Sequence, residues 1–221
     1  LLGHFNINIF DDGWLQRDVS LGNIILLETP EKRDARTAQL CEGMLIDADH
    51  VIRRWDKTGI RSEHRSGTLP YLSLRLLNVW TWSDTNKIPH SVMDDLESFV
   101  WVILHVILLK VKFTRQEAWL QQLSEPKQSA HHSFRFAMQS SFTKPDFQLI
   151  KDQAFSPYFP VLRKLFTLSI EGEAASYELE ELASAGQLTK DHVQKTCKIY
   201  YQKYLAILFD ASESNSLPDS W

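Results

Sequence analysis

Cysteine is nearly absent from this chain: Cys41 and Cys197 are the two in 221 residues. Two cysteines make neither a disulfide framework nor a four-thiolate zinc site, so a reducing compartment is expected. Glycine is sparse too, with eight residues, and Gly43, Gly59 and Gly67 are not spaced as a phosphate-cradling loop. Long hydrophobic runs are missing. The apolar stretch 99–109 is interrupted by His105 and is far short of the roughly 20 residues that span a bilayer, so it is expected to be a buried helix and no membrane partner is expected. Excess basic charge is also missing: the net charge is −4, which argues against nucleic acid or a polybasic membrane contact as partner. The chain opens on Leu1-Leu2-Gly3-His4-Phe5, with no initiator Met and no signal peptide, as though read from mid-sequence. An intracellular location is the expectation.

What is present is aromatic bulk. Seven Trp and twelve Phe supply large buried area, enough for one core belonging to a single domain or to part of a larger one. Two short apolar runs, 24–27 and 44–46, flank a polar stretch at 28–42 and predict a pair of short strands joined by a long exposed loop. Residues 47–69 lose apolar periodicity and read as a polar loop. Ser91 followed by Asp94 forms a capping-box-like start to a helix whose apolar positions run almost all round, so that it must be buried on most sides. Further helices are predicted over 115–123, from Pro160 to about 170, over 176–185 with Gly186 as the stop, and from about Thr189 through Tyr200, Tyr201, Tyr204 and Leu208. His131-His132 reads as a surface loop and His105 as a hydrogen-bonded core histidine. The fold class is therefore mainly α, with one or two small strand pairs near the start, a domain over 1–209 and a flexible tail over 210–221.

Four blocks carry the chemistry, in this order. Gln16-Arg17-Asp18-Val19-Ser20-Leu21-Gly22-Asn23 is a near match to His-Arg-Asp-x-x-x-x-Asn, a spacing that lets the Asp face a substrate hydroxyl while the Asn faces a metal ion. Leu45-Ile46-Asp47-Ala48-Asp49 is an apolar strand ending in a carboxylate. One carboxylate from Asp47 and one amide oxygen from Asn23 are a reasonable protein share of a Mg²⁺ site, because that ion keeps several waters. Gly67-Thr68-Leu69-Pro70-Tyr71-Leu72-Ser73 is a Gly/Pro turn feeding a helix, and Asp94-Asp95-Leu96-Glu97-Ser98 is an acidic first helical turn, favoured there by the helix dipole.

Taken together these blocks resemble the C-terminal lobe of a protein kinase, most closely the fungal-type protein kinase-like family. That family's catalytic loop, Arg-Asp-(Ile/Val)-Ser-x-Gly-Asn-Ile, is matched by residues 17–24. Its Leu-Ile-Asp-x-Asp strand is matched by 45–49, its Gly-Thr-x-x-(Phe/Tyr)-(Met/Leu)-Ser-x-x-Leu-Leu block by 67–77, and its Asp-Asp-Leu-Glu-Ser helix start by 94–98. The resemblance implies ATP and Mg²⁺ as cofactors and phosphoryl transfer to a Ser/Thr hydroxyl of a protein substrate. Asp18 would orient that hydroxyl and take its proton, and Ser20 would stand beside the transferring phosphate. Asn23 and Asp47 would hold Mg²⁺. Thr68 would hydrogen-bond near Asp18 in the substrate segment, and Asp95 would support the catalytic loop backbone. Arg17 would meet a phosphate on the activation segment, for which Thr58, Ser62 and Ser66 are candidate acceptors among Arg53, Arg54, Arg61 and Arg65.

Departures from the pattern define the competing expectations. Gln16 replaces His, Ser20 replaces a charged Lys, Ala48 replaces Phe, and Arg75 stands where a Glu anchors the substrate segment, so that its ion pair cannot form in the usual polarity. No Gly-rich loop, Val-Ala-Ile-Lys strand or partner Glu precedes the catalytic loop, so the N-lobe is read as absent and negligible phosphoryl transfer is expected of this chain alone. The alternatives are a non-catalytic, pseudokinase-like protein-binding module and, ranked lower, a small-molecule phosphotransferase of the aminoglycoside-kinase type.

Overall fold

The structure, a computed structural model, describes residues 14–26, 43–47, 49, 51–53, 67–82, 90–144 and 152–213. Four short strands come first. β1 (Trp14–Leu15) pairs antiparallel with β4 (Ile52–Arg53), and β2 (Ile24–Leu26) pairs antiparallel with β3 (Gly43–Leu45), with Ile24 opposite Leu45 and Leu26 opposite Gly43. The expected strand pairs are both present, while the 28–42 connection lies outside the described residues. So do Thr58, Ser62 and Ser66 and the side chains of the arginines around them.

Six α-helices follow among the described residues: α1 (Leu74–Trp82), α2 (Val92–Lys110), α3 (Gln116–Leu123), α4 (Gln128–Thr143), α5 (Phe159–Ser184) and α6 (Lys190–Glu213). The protein is thus mainly helical, and none of the described helices is long and apolar enough to cross a membrane.

Helix α2 forms the centre. Ser91 caps it reciprocally with Asp94: the Asp94 amide donates to Ser91 Oγ at 3.3 Å and the Ser91 amide donates to Asp94 Oδ2 at 2.7 Å. Val100, Trp101 and Leu104 are wholly buried, as the apolar run requires. Trp101 packs edge-on against Phe166 of α5, and Phe142 of α4 stacks on the same Phe166 at 4.7 Å between ring centroids. This aromatic cluster ties α2, α4 and α5 together, and Tyr201 and Tyr204 of α6 pack into the same core.

Three expectations change here. The helices expected from Pro160 to about 170 and over 176–185 are one continuous helix of 26 residues. Gly172 does not break it, because that glycine lies where α5 crosses α2; a β-carbon there would stand 3.1 Å from Met93 Cγ. Gly186, at φ +69°, does end it: the Gln187 amide bonds back to the Leu182 carbonyl and the Gly186 amide to that of Ala183. Secondly, His131 and His132 are helical rather than in a surface loop, and His131 is fully buried, with Nε2 2.6 Å from the Glu125 carbonyl oxygen. Thirdly, α6 continues to Glu213, past the expected domain end at 209, so the first four residues of the expected tail are helical; the remainder lies outside the described residues.

Candidate functional site

Strand β1 feeds directly into the loop 16–20. Leu15 and Val19 are 2 % and 3 % exposed, so the loop is pinned to the core on both sides while Asp18 between them stays half-buried. Arg17 adopts φ +66°, a left-handed conformation that turns two successive amides toward one acceptor. That acceptor is Asp95, in the first turn of α2. It receives the Gln16 amide on Oδ2 at 2.9 Å and the Arg17 amide on Oδ1 at 3.1 Å. Burial pushes the Asp95 carboxyl up to about 7, against these two donors and with help from neighbouring Asp94. The Arg17 guanidinium reaches His90, with Nε donating to Nδ1 at 3.2 Å.

Asp18 gathers three donors. Its Oδ1 accepts the Thr68 amide and the Thr68 hydroxyl, each at 2.7 Å, and its Oδ2 accepts Asn23 Nδ2 at 3.1 Å. Asn23 Nδ2 also donates to the Asp18 carbonyl at 2.9 Å. Asn23 closes the short 3-10 turn Leu21–Asn23, and its own carbonyl accepts the Ile46 amide at 2.9 Å. The β2–β3 pairing therefore brings the end of the metal-strand candidate alongside Asn23. Asp47, one residue further, is exposed and also left-handed, at φ +60°. Gln16 fixes it from below: Nε2 donates to the carbonyls of Ile46 and Asp47, both at 3.1 Å. The side chain that replaces the expected His thus links the catalytic-loop candidate to the strand end. Ser20, 4 % exposed, follows Asp18 by two residues.

The segment 67–75 carries Thr68 to this centre. Gly67 makes the turn at φ +120°, and a β-carbon there would collide with Leu72 and stand 3.2 Å from the Arg17 carbonyl. Tyr71 OH lies 2.7 Å from His105 Nδ1, the hydrogen-bonded histidine expected in α2. Ser73 Oγ donates to Asp94 Oδ1 at 2.6 Å. Arg75 is 1 % exposed and paired with both Asp94 and Glu180. The anchor that could not form in its usual polarity forms in the reverse one, with the cation on the segment and the carboxylates on α2 and α5. Burial would raise the Asp94 carboxyl, but Arg75, His90 and Ser73 outweigh it and hold the group well below the usual carboxylate range. Burial likewise opposes charge on Arg75, yet Asp94 and Glu180 keep its pKa above the ordinary value.

The fold thus gathers Arg17, Asp18, Ser20, Asn23, Asp47, Thr68 and Asp95 around one loop and two strand ends. Sequence reasoning missed the tie made by Gln16 and the contacts of His90, Glu97, Arg135 and Glu180. Glu97 lay inside a motif already read; Arg135 and Glu180 had no local signal, because their partners Leu69 and Arg75 are 66 and 105 residues away.

Residues 3–107 match the family model for fungal protein kinases, a span that holds every residue just named as gathered at the loop, and the chain is similar to that family over this segment. No curated protein and no solved structure matches the chain.

Proposed function

We propose that this chain is the C-lobe of a protein kinase-like domain and provides the acid–base and metal-binding half of a Ser/Thr phosphoryl-transfer site. The observation that carries the proposal is the Asp18 carboxylate, held by Thr68 on one oxygen and Asn23 on the other. Asp18 orients a substrate hydroxyl and accepts its proton; Thr68 and Asn23 keep its oxygens fixed, so little reorganisation is needed as charge develops.

The residues fit Mg²⁺. The Asn23 amide nitrogen is committed to Asp18, which leaves its oxygen to face a cation beside the exposed carboxylate of Asp47. Asn23 and Asp47 offer two hard oxygen groups, a donor set suited to an ion that retains waters and phosphate oxygens; among the described residues no group of three or more His, Cys, Asp or Glu could hold a metal ion. ATP with Mg²⁺, when bound, supplies the phosphoryl group, and dependence on ATP is consistent with an intracellular setting.

Ser20 favours a second reading. It offers one hydrogen bond and no charge where a kinase usually has Lys, and losing a transition-state donor costs on the order of 10²–10³ in rate. A non-catalytic protein-binding module would tolerate that loss.

Titration of Mg²⁺–ATP into the chain, with Asp47→Asn beside it, tests the metal assignment. Binding weakened about tenfold or more in the variant supports it; equal binding overturns it. With a protein kinase N-lobe joined ahead of the chain, transfer to Ser/Thr peptides that exceeds that of the same fusion carrying Asp18→Asn supports the catalytic reading. Transfer equal in both fusions, with Mg²⁺–ATP still bound, supports the second.

A further inference from the structure

The geometry points to Glu97 and Arg135 as positioning residues that clamp the two ends of the segment 69–74 from behind and so set Thr68 against Asp18. Calling this segment substrate-facing rests on the function proposed above; the clamp itself does not.

Arg135, in α4, is 0 % exposed and donates from Nη2 to the Leu69 carbonyl at 3.0 Å. Glu97, in α2, is 2 % exposed and accepts the Leu74 amide on Oε1 at 2.9 Å. These contacts bracket the 3-10 turn Leu69–Tyr71 and the entry to α1. Glu97 is itself braced on the same oxygen by Trp101 Nε1 at 3.0 Å and Gln139 Nε2 at 3.1 Å. The Arg135 guanidinium lies 4.6 Å from the Trp101 ring centroid, so one indole supports both members.

Stability alone does not account for this pair. Arg135 Nε and Nη1 have no hydrogen-bond partner among the described residues, and a buried donor left unmade is costly. Burial lowers the Arg135 pKa to about 9, only partly offset by Glu97 and Tyr71. Buried charges of this kind are often replaced by apolar residues without loss of stability. What an apolar residue would not supply is a donor to the Leu69 carbonyl. Both clamp residues sit on core helices, so the fold itself holds these two ends of the segment.

Amide hydrogen exchange by NMR on the full chain, without nucleotide, tests this. In Arg135→Met, the amides of Thr68, Tyr71 and Leu74 should exchange about tenfold faster, while those of Phe166 and Tyr201 in the core change less than twofold. Glu97→Leu should do the same at Leu74, and Glu97→Gln, which keeps the acceptor, should restore protection there. Equal acceleration of both sets would show a merely structural role, and no change at 68–74 would show no clamp; either overturns the proposal. Should Arg135→Met fail to fold, Glu97→Leu against Glu97→Gln is read by the same two patterns at Leu74. A failed Mg²⁺–ATP titration would leave these exchange rates untouched, so the two readings fail separately.

Discussion

Thr68 holds Asp18 twice on one oxygen: its amide and its hydroxyl both donate to Asp18 Oδ1 at 2.7 Å. Removing the hydroxyl while keeping the amide isolates half of this contact. Thr68→Val should lower stability by about 1.5–3 kcal/mol, the range for a hydrogen bond to a charged group. Urea denaturation with an unchanged slope would register it, and an unchanged midpoint would refute the contact.

Gly67 turns the chain just before Thr68 in a conformation that L-residues rarely adopt, and with no room for a β-carbon. Gly67→Ala should therefore destabilise by about 1–3 kcal/mol. It should also shift the Thr68 and Arg17 amide resonances, because the new methyl would press on Leu72 and the Arg17 carbonyl. Wild-type chemical shifts at both positions would exclude the strained turn.

Arg75 is the buried cation between Asp94 and Glu180. Arg75→Met leaves Asp94 with hydroxyl and amide donors and His90 but without its main countercharge, so a loss of about 3–5 kcal/mol is expected, as for one-sided removal of a buried pair. The variant should also lose part of the wild-type acid limb. Asp94 has a depressed pKa in the fold, so its contribution is present above the usual carboxylate range and fades as pH falls through the depressed value. Denaturation curves collected from pH 2 to 6 compare the two proteins directly.

Glu97 has the opposite sign. Burial raises its carboxyl to about 7, against donors from Trp101 and Leu74 and the charge of Arg135. Between about pH 4 and 7 the unfolded chain releases a proton that the fold retains, so this contribution is full below that window and is lost as pH rises through it. Glu97→Gln removes the effect. The variant should gain on the wild type from pH 5 to 8 by on the order of 3 kcal/mol. His105 and His131, whose pKa values burial lowers, act in the reverse direction in both proteins and cancel in the comparison. A stability gap independent of pH would rule out a proton held by Glu97.

Local chemistry made much of this readable. The capping box at Ser91 and Asp94 involves side chains three residues apart, and the all-round apolar run of α2 has no solution except burial. The strand pairs at 24–26 and 43–45 are short apolar runs with clear breaks. The two helices expected from Pro160 to about 170 and over 176–185 are one, because Gly172 between them lowers helical propensity by only about 1 kcal/mol and packing against Met93 outweighs it. The pair His131-His132 looked polar enough for a loop, but α4 is fixed by its contacts with α1 and α5, which no local window contains.

Residue type and spacing along the chain already mark the groups able to do chemistry: an Asp and an Asn five positions apart, a strand ending in Asp47, a Gly-Thr turn and an acidic helix start. Their spacing along the chain constrains what each local element can present. How these groups are held follows from long-range packing. Asp95 meets Gln16 across 79 residues and Thr68 meets Asp18 across 50. Arg75 finds Glu180 across 105, and Arg135 finds Leu69 across 66. These contacts depend on where the buried helices α2, α4 and α5 come to rest. The packing of Trp101, Phe142 and Phe166 sets those positions, and with them which carboxylates the Arg75 anchor meets.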